Sequence, residues 1–79
     1  MRRMSENVKV EDLRPGDIVR DQEGGTGEVD RGCGHYSGSV HTIYYREGAT
    51  LSAITPALGL GVDYAAGRVV ERVNGGEDA

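Results

Sequence analysis

Residues 40–46 read Val-His-Thr-Ile-Tyr-Tyr-Arg, and this stretch decides the fold class. It is rich in β-branched and aromatic side chains, which favour a β-strand. Positions 40, 42 and 44 would share one face of that strand, and positions 41, 43 and 45 would share the other. Because both faces carry apolar side chains, the pattern predicts a strand in the centre of a sheet or at an interface.

Shorter strand patterns lie on both sides of this stretch, separated by turn signals. Pro15-Gly16 suits a tight turn, because Pro fixes φ at the second position and Gly accepts a positive φ at the third. Glu47-Gly48 predicts another turn, with residues 49–55 returning as the hairpin partner of residues 40–46. The strands expected from the sequence are residues 8–10, 18–20, 26–31, 40–46, 49–55 and 68–73.

The predicted fold class is therefore all-β: a small barrel or a compact antiparallel sheet of five to six short strands. We expect at most one short helical turn. Residues 57–62 suit either a helical turn or a packed loop, and residues 63–67 suit a helical turn. The chain of 79 residues has room for one domain. We assign residues 1–6 to a flexible arm, 7–73 to the β domain and 74–79 to a disordered tail.

Charge and cysteine content narrow the functional classes. The formal net charge is −4, which disfavours nucleic-acid binding because an acidic domain repels phosphate backbones. The chain has no apolar run near 18 residues, so no membrane contact is predicted. The lone Cys33 cannot form an internal disulfide, and the basic N-terminus lacks the apolar segment of a secretory signal. A cytoplasmic location is expected.

Residues 13–31 resemble the opening hairpin of SH3-like small β-barrels, including the KOW type found in ribosomal and transcription-factor proteins. The resemblance implies a small-barrel fold and no active site. The loop that contacts RNA in KOW proteins is basic, whereas residues 21–25 here are acidic, which argues against RNA binding. The residues that carry the resemblance are Gly16, Asp17, Val19, Gly24, Gly27 and Val29.

Amino-acid usage carries a second resemblance. The chain has eight Arg and one Lys, with frequent Gly, Ala, Val and Asp. This usage resembles that of proteins from GC-rich genomes, such as those of actinobacteria and their phages, and implies an actinobacterial or phage origin.

A glycine-rich segment at residues 32–39 is the candidate ligand site. Glycines allow several backbone N–H groups to point towards one anion, and neighbouring polar side chains could add donors. A phosphate- or nucleotide-binding loop and a simple connection between two strands both fit this pattern. The candidate ligand-binding residues are Arg31, Gly34, His35, Tyr36, Ser37 and Ser39.

No catalytic, metal or cofactor site is predicted. Cys33, His35 and His41 are the only soft ligands in the chain, and a metal site needs three or four that converge. A Cys–His pair could act as a nucleophile, but the sequence shows neither an orienting group nor an oxyanion hole.

The tyrosines indicate a contact surface. Tyr44 and Tyr45 should point to opposite faces of their strand, so one of them should lie outside the core. The tyrosines with Arg31 and Arg46 could instead form a stacking platform for nucleic-acid bases. The candidate interface residues are Tyr44, Tyr45, Leu58, Leu60 and Val62.

The favoured function is a non-enzymatic binding or adaptor module that acts through protein contacts, self-associates into a homo-oligomer and could serve as a phage-encoded regulator. Two alternatives stay open. One is a protein that binds a small anion, phosphate or nucleotide through residues 32–39. The other is a small barrel that binds nucleic acid.

Overall fold

The computed structural model describes residues 5–36 and 38–73 as one antiparallel β-sheet with two short 3₁₀ turns. The all-β prediction is confirmed. The 3₁₀ turns span Val10–Asp12 and Pro56–Leu58. The six strands are β1 (Ser5–Lys9), β2 (Ile18–Arg20), β3 (Thr26–Tyr36), β4 (Val40–Tyr45), β5 (Gly61–Ala65) and β6 (Val69–Val73).

The strand order forces the sheet to roll up. The order across the sheet is β1-β6-β2-β3-β4-β5. A tight turn joins β5 to β6, closed by a bond from Arg68 N to Ala65 O of 3.0 Å. Three strands nevertheless separate β5 from β6 in the sheet. The tight turn can hold β6 next to β5 only if the sheet curves until its β5 edge faces β6 and β2.

The long strand β3 makes this curvature feasible. Residues 26–28 pair with β2, and residues 29–36 pair with β4. The register with β4 shifts between Val29 and Arg31, and again between Gly32 and His35. Such bulges bend a strand and increase its twist, so β3 can belong to both halves of the rolled sheet.

The inside of the roll holds a small apolar core. Leu13, which follows the first 3₁₀ turn, and Val70 of β6 are partly buried and pack against this core. A chain of this length buries only about 60% of its unfolded surface, so few residues carry the core. The fully buried apolar residues are Val10, Val19, Val29, Ile43, Tyr45, Leu51 and Val62.

The predicted turn at Pro15-Gly16 is confirmed. Asp17 N donates to Arg14 O at 3.0 Å, and Gly16 has φ of +96°. Asp17 also accepts a bond from Arg14 N on its carboxylate at 2.9 Å. A residue other than glycine would be strained at this φ.

The prediction that residues 49–55 pair with β4 is wrong. The turn at Gly48 forms, with φ of +96°, but the chain then leaves the sheet. Both edges of β4 are occupied, one by β3 and the other by β5, so no edge is free for a third partner. Residues 49–55 instead form a loop that sends Leu51 into the core, and Thr55 alone bridges to Gly61.

Three segment boundaries also differ from expectation. Residues 32–36 continue β3, because Gly32, His35 and Tyr36 pair with β4 in an antiparallel hairpin. Residues 61–65, expected as loop and helical turn, form strand β5, whose Val62 and Tyr64 share the face towards the core. Val10 begins a 3₁₀ turn rather than ending a strand. Strand β1 begins at Ser5, inside the predicted arm, and residues 1–4 and 74–79 lie outside the described residues.

A groove between β5 and β6 as the candidate functional site

The rolled sheet leaves a groove where β5 faces β6 and β2. Its volume is about 460 Å³, within the range of about 300–1,000 Å³ typical of ligand pockets. Loops 21–23 and 51–53 complete the lining. The groove is lined by Asn7, Val19, Arg20, Asp21, Gln22, Glu23, Leu51, Ser52, Ala53, Val62, Asp63, Tyr64, Arg68, Val69, Val70 and Glu71.

The floor of the groove is the outer surface of the core. Val19, Leu51 and Val62 are buried residues that also line it. On the β6 side, Val69 is 50% exposed, so this wall presents apolar surface to solvent. A ligand that covers Val69 would gain about 25 cal/mol for each Å² of apolar surface removed from water.

A pair of tyrosine hydroxyls lies beside this floor. Tyr45 Oη and Tyr64 Oη are 2.7 Å apart. Burial raises the pKa of Tyr45, and its hydrogen bond to Tyr64 raises it further. Burial also raises the pKa of Tyr64. The bond from Tyr45 and the charge of Arg68 act in the opposite direction, and the charge of Asp21 raises this pKa again. Both phenols are therefore neutral at physiological pH.

Arg68 holds a fixed place at the groove wall. Its carbonyl accepts a bond from Val10 N at 2.9 Å, and its N–H donates to Ala65 O at 3.0 Å. The side chain lines the groove and is close enough to Tyr64 for its charge to affect that hydroxyl. Among the residues that the structure describes, Arg68 has no ion-pair partner.

The Asp21 carboxylate links loop 21–25 to loop 51–53 by hydrogen bonds. Its Oδ1 accepts bonds from Glu23 N at 2.9 Å and Gly25 N at 2.8 Å, and its Oδ2 accepts from Ser52 N at 2.8 Å. These donors stabilise the carboxylate, and the bond from Ser52 contributes most to holding the pKa of Asp21 below its usual value. Loop 51–53 is thus tied to the first hairpin.

One pair of opposite groove charges is neutralised within the sheet. Arg20 and Glu71 face each other on β2 and β6 and form a bidentate pair, with contacts of 3.2 and 2.7 Å. This pair holds the pKa of Glu71 below its usual value. Asp63 accepts a bond from Thr42 at 2.7 Å. Arg68 is left as the lining cation without a carboxylate partner in the described chain.

The predicted anion-binding residues lie in the β3–β4 hairpin, away from the groove. Arg31 stacks on the ring of Tyr44, with its guanidinium carbon 4.0 Å from the ring centre. Gly34 is exposed within β3, and Ser39 accepts a bond from Ala66 N at 3.0 Å through its carbonyl. His35 and Tyr36 pair with His41 and Val40 in the register. Ser37 lies outside the described residues.

The predicted interface residues divide between the core and its margin. Tyr45 and Val62 are 2% and 5% exposed, so they belong to the core of a single chain. Tyr44 is half-buried beneath Arg31, as expected if the two tyrosines point to opposite faces. Leu60 is half-buried with φ of +66°, and its carbonyl accepts from Tyr45 N. Of Leu58 only the backbone, in its 3₁₀ turn, is described.

Sequence reasoning did not find the groove. Arg68 and Tyr64 are four residues apart, but Arg20, Asp21 and Leu51 come from distant parts of the chain and meet only when the sheet rolls. The one local signal was the pattern Val62-Asp63-Tyr64, whose alternation indicates a strand.

The described residues were also compared with the requirements of a metal site and of a membrane-spanning helix. Within 5–36 and 38–73, no three His, Cys, Asp or Glu side chains are grouped so that they could hold a metal ion. The same part of the chain contains no helix of the length and hydropathy needed to cross a membrane.

Comparisons of the chain with protein-family models, with curated proteins and with solved structures found no match.

Proposed function

We propose that this chain is a non-enzymatic binding module that holds a segment of a partner protein in the groove between β5 and β6. One observation carries the proposal: the groove joins an apolar wall and floor to a cation that has no partner in the described chain. Binding sites combine apolar surface with polar groups that fix orientation, and the groove lining carries both, with polar residues in the majority.

The groove supports this function better than the glycine-rich hairpin does. Arg31, the cation expected to hold an anion there, is stacked on Tyr44. A Cβ placed on Gly34 would meet no atom within 4 Å, so the space beside Gly34 is open. Arg68 and Val69, in contrast, both line the groove.

A pool of random-sequence synthetic peptides provides the test. The full chain is immobilised, and bound peptides are quantified by mass spectrometry. Val69→Glu should abolish the enrichment, because it places a charge on the exposed apolar wall. Ala57→Glu is the matched control, because Ala57 is exposed and does not line the groove. Equal enrichment on both variants, or none on the natural chain, would contradict the proposal.

Self-association is a second part of the proposal. Strand β1 pairs with β6 on one side, and no described strand pairs with its other edge. Unpaired edge groups can add a strand from another chain. Sedimentation at rising concentration should show a dimer, and Asn7→Pro should weaken it by removing an edge N–H. A monomer at every concentration would exclude this part.

A further inference from the structure

The outer edge of β1 presents a fixed set of backbone groups. Val10 N donates to Arg68 O at 2.9 Å, in the same register in which β1 pairs with β6. The backbone bonds of an antiparallel pair involve every second residue of each strand. The even-numbered residues of β1 therefore bond to β6, and Ser5, Asn7 and Lys9 direct their N–H and C=O groups away from it.

These outward groups suit a second copy of the same strand. β1 lies at one end of the strand order, and within residues 5–36 and 38–73 no strand pairs with its outer edge. The N–H and C=O groups of an edge strand can pair with a strand from another chain. A second β1 brings outward groups with the same spacing as the first.

The charges of β1 favour an antiparallel arrangement of the two copies. A parallel pair in register would place Glu6 opposite Glu6 and Lys9 opposite Lys9. Like charges directly opposite each other destabilise a strand pair, and parallel pairing is slightly less stable for each residue. An antiparallel pair that turns about its centre brings different residues together and avoids both contacts.

One antiparallel register pairs all the outward groups of β1. Outward residues must face outward residues, so the two-fold axis passes beside a single residue of the strand. An axis at Glu6 places the two Glu6 residues opposite each other and leaves Lys9 unpaired, and an axis at Val8 leaves Ser5 unpaired. An axis at Asn7 pairs Asn7 with itself and Ser5 with Lys9 of the second copy.

The side chains of β1 are compatible with the register centred on Asn7. The Asn7 amide carries both donors and an acceptor, so two such amides can bond to each other. Lys9 faces a serine and therefore meets no like charge. The carboxylate of Glu6 is already paired with Arg72 of its own chain, so it needs no partner from the second copy.

The opposite end of the sheet is less suited to pairing with another chain. Two carbonyls of the edge strand β5 are already used, because Gly61 O accepts from Thr55 N at 3.3 Å and Ala65 O accepts from Arg68 N at 3.0 Å. A strand added there would compete with these bonds. Association through β1 alone uses the same surface on both copies and closes after two.

We propose that two copies of this chain form a two-fold dimer through antiparallel β1 strands centred on Asn7. This inference rests on the self-association in the proposed function and defines its strand, direction and register. In the dimer, the two sheets join into one continuous sheet, and β1 becomes an inner strand.

Charge variants test this register, with sedimentation equilibrium of the full chain as the measurement. Ser5→Lys should raise the dimer dissociation constant about two- to thirtyfold, because the new charge faces Lys9 of the second copy at two symmetric positions. Ala57→Lys is the matched control, since it adds the same charge to an exposed residue outside β1. It should leave the dissociation constant unchanged.

A second substitution shows whether the two positions face each other. Lys9→Glu alone should change the dissociation constant little, because the new carboxylate faces a serine. Combined with Ser5→Lys, it should restore a dimer at least as tight as that of the natural chain. Residues 5 and 9 of one strand are about 13 Å apart, so this rescue reports pairing between copies.

The outcomes separate the register from self-association itself. A dimer that shows no rescue, or that responds equally to Ser5→Lys and Ala57→Lys, would overturn the register and leave self-association intact. A monomer at every concentration of the natural chain would overturn both.

Discussion

Tyr45 and Tyr64 share a hydrogen bond of 2.7 Å between their hydroxyls, although 19 residues separate them in the chain. The bond joins two neighbouring strands, because Tyr45 ends β4 and Tyr64 lies in β5, the edge strand of the sheet. It also connects the core to the groove. Because Tyr45 is buried and Tyr64 lines the groove, substitutions of the two residues should differ in effect.

Tyr64→Phe should destabilise the protein more than Tyr45→Phe. The first leaves the buried Tyr45 hydroxyl without a partner, at about 1–3 kcal/mol. The second leaves the Tyr64 hydroxyl at the groove, where water can reach it. Urea unfolding of both variants and of the double variant measures the coupling. Equal losses for the two single variants would mean that the Tyr45 hydroxyl finds another partner when Tyr64 is replaced.

Gly27→Ala should destabilise the protein through overpacking. A Cβ at this position would lie 2.9 Å from Tyr45 Cδ1 and 3.1 Å from Leu51 Cδ1. Added atoms in a packed core cost about 1–3 kcal/mol. Gly34→Ala is the matched control, since a Cβ there meets nothing within 4 Å. Thermal unfolding should show a lower midpoint for Gly27→Ala alone, and an unchanged midpoint would mean that the core is looser than described.

Acid should weaken the attachment of loop 51–53 through Asp21. Because the folded pKa of Asp21 is lowered, its contribution is complete above the ordinary value of 3.8 and is lost as the pH falls through the lower folded value. Urea unfolding between pH 7 and pH 2 should show this loss. Asp21→Asn should be less stable at neutral pH and depend less on pH below 4. A parallel pH profile in the variant would rule out this role.

Ile43→Val should cost about 0.5–1.5 kcal/mol, since Ile43 is fully buried between β3 and β5. Val69→Ala removes apolar atoms from a residue that is 50% exposed and should stay within about 0.5 kcal/mol of the natural chain. Chemical unfolding of the two variants measures the difference. A larger loss for Val69→Ala would indicate that the groove wall is covered, for example by a second copy.

Much of the secondary structure follows from local chemistry that the sequence displays. Residues 40–45 form a strand because β-branched and aromatic side chains favour one. Pro15-Gly16 forms a turn because its φ preferences match that turn. Local preferences could not exclude residues 49–55 as the return strand. Only the pairing of β4 with β5 shows that the second edge of β4 is occupied.

The sequence by itself determined that this chain is a small antiparallel sheet with turns at its Pro and Gly positions, because those preferences act between neighbouring residues. The tertiary structure alone decided which strands pair, that the sheet rolls, and that Arg68 and Tyr64 come to share a groove with Val19 and Leu51. These contacts join residues far apart in the chain, and they depend on the register and curvature of the whole sheet rather than on any local pattern.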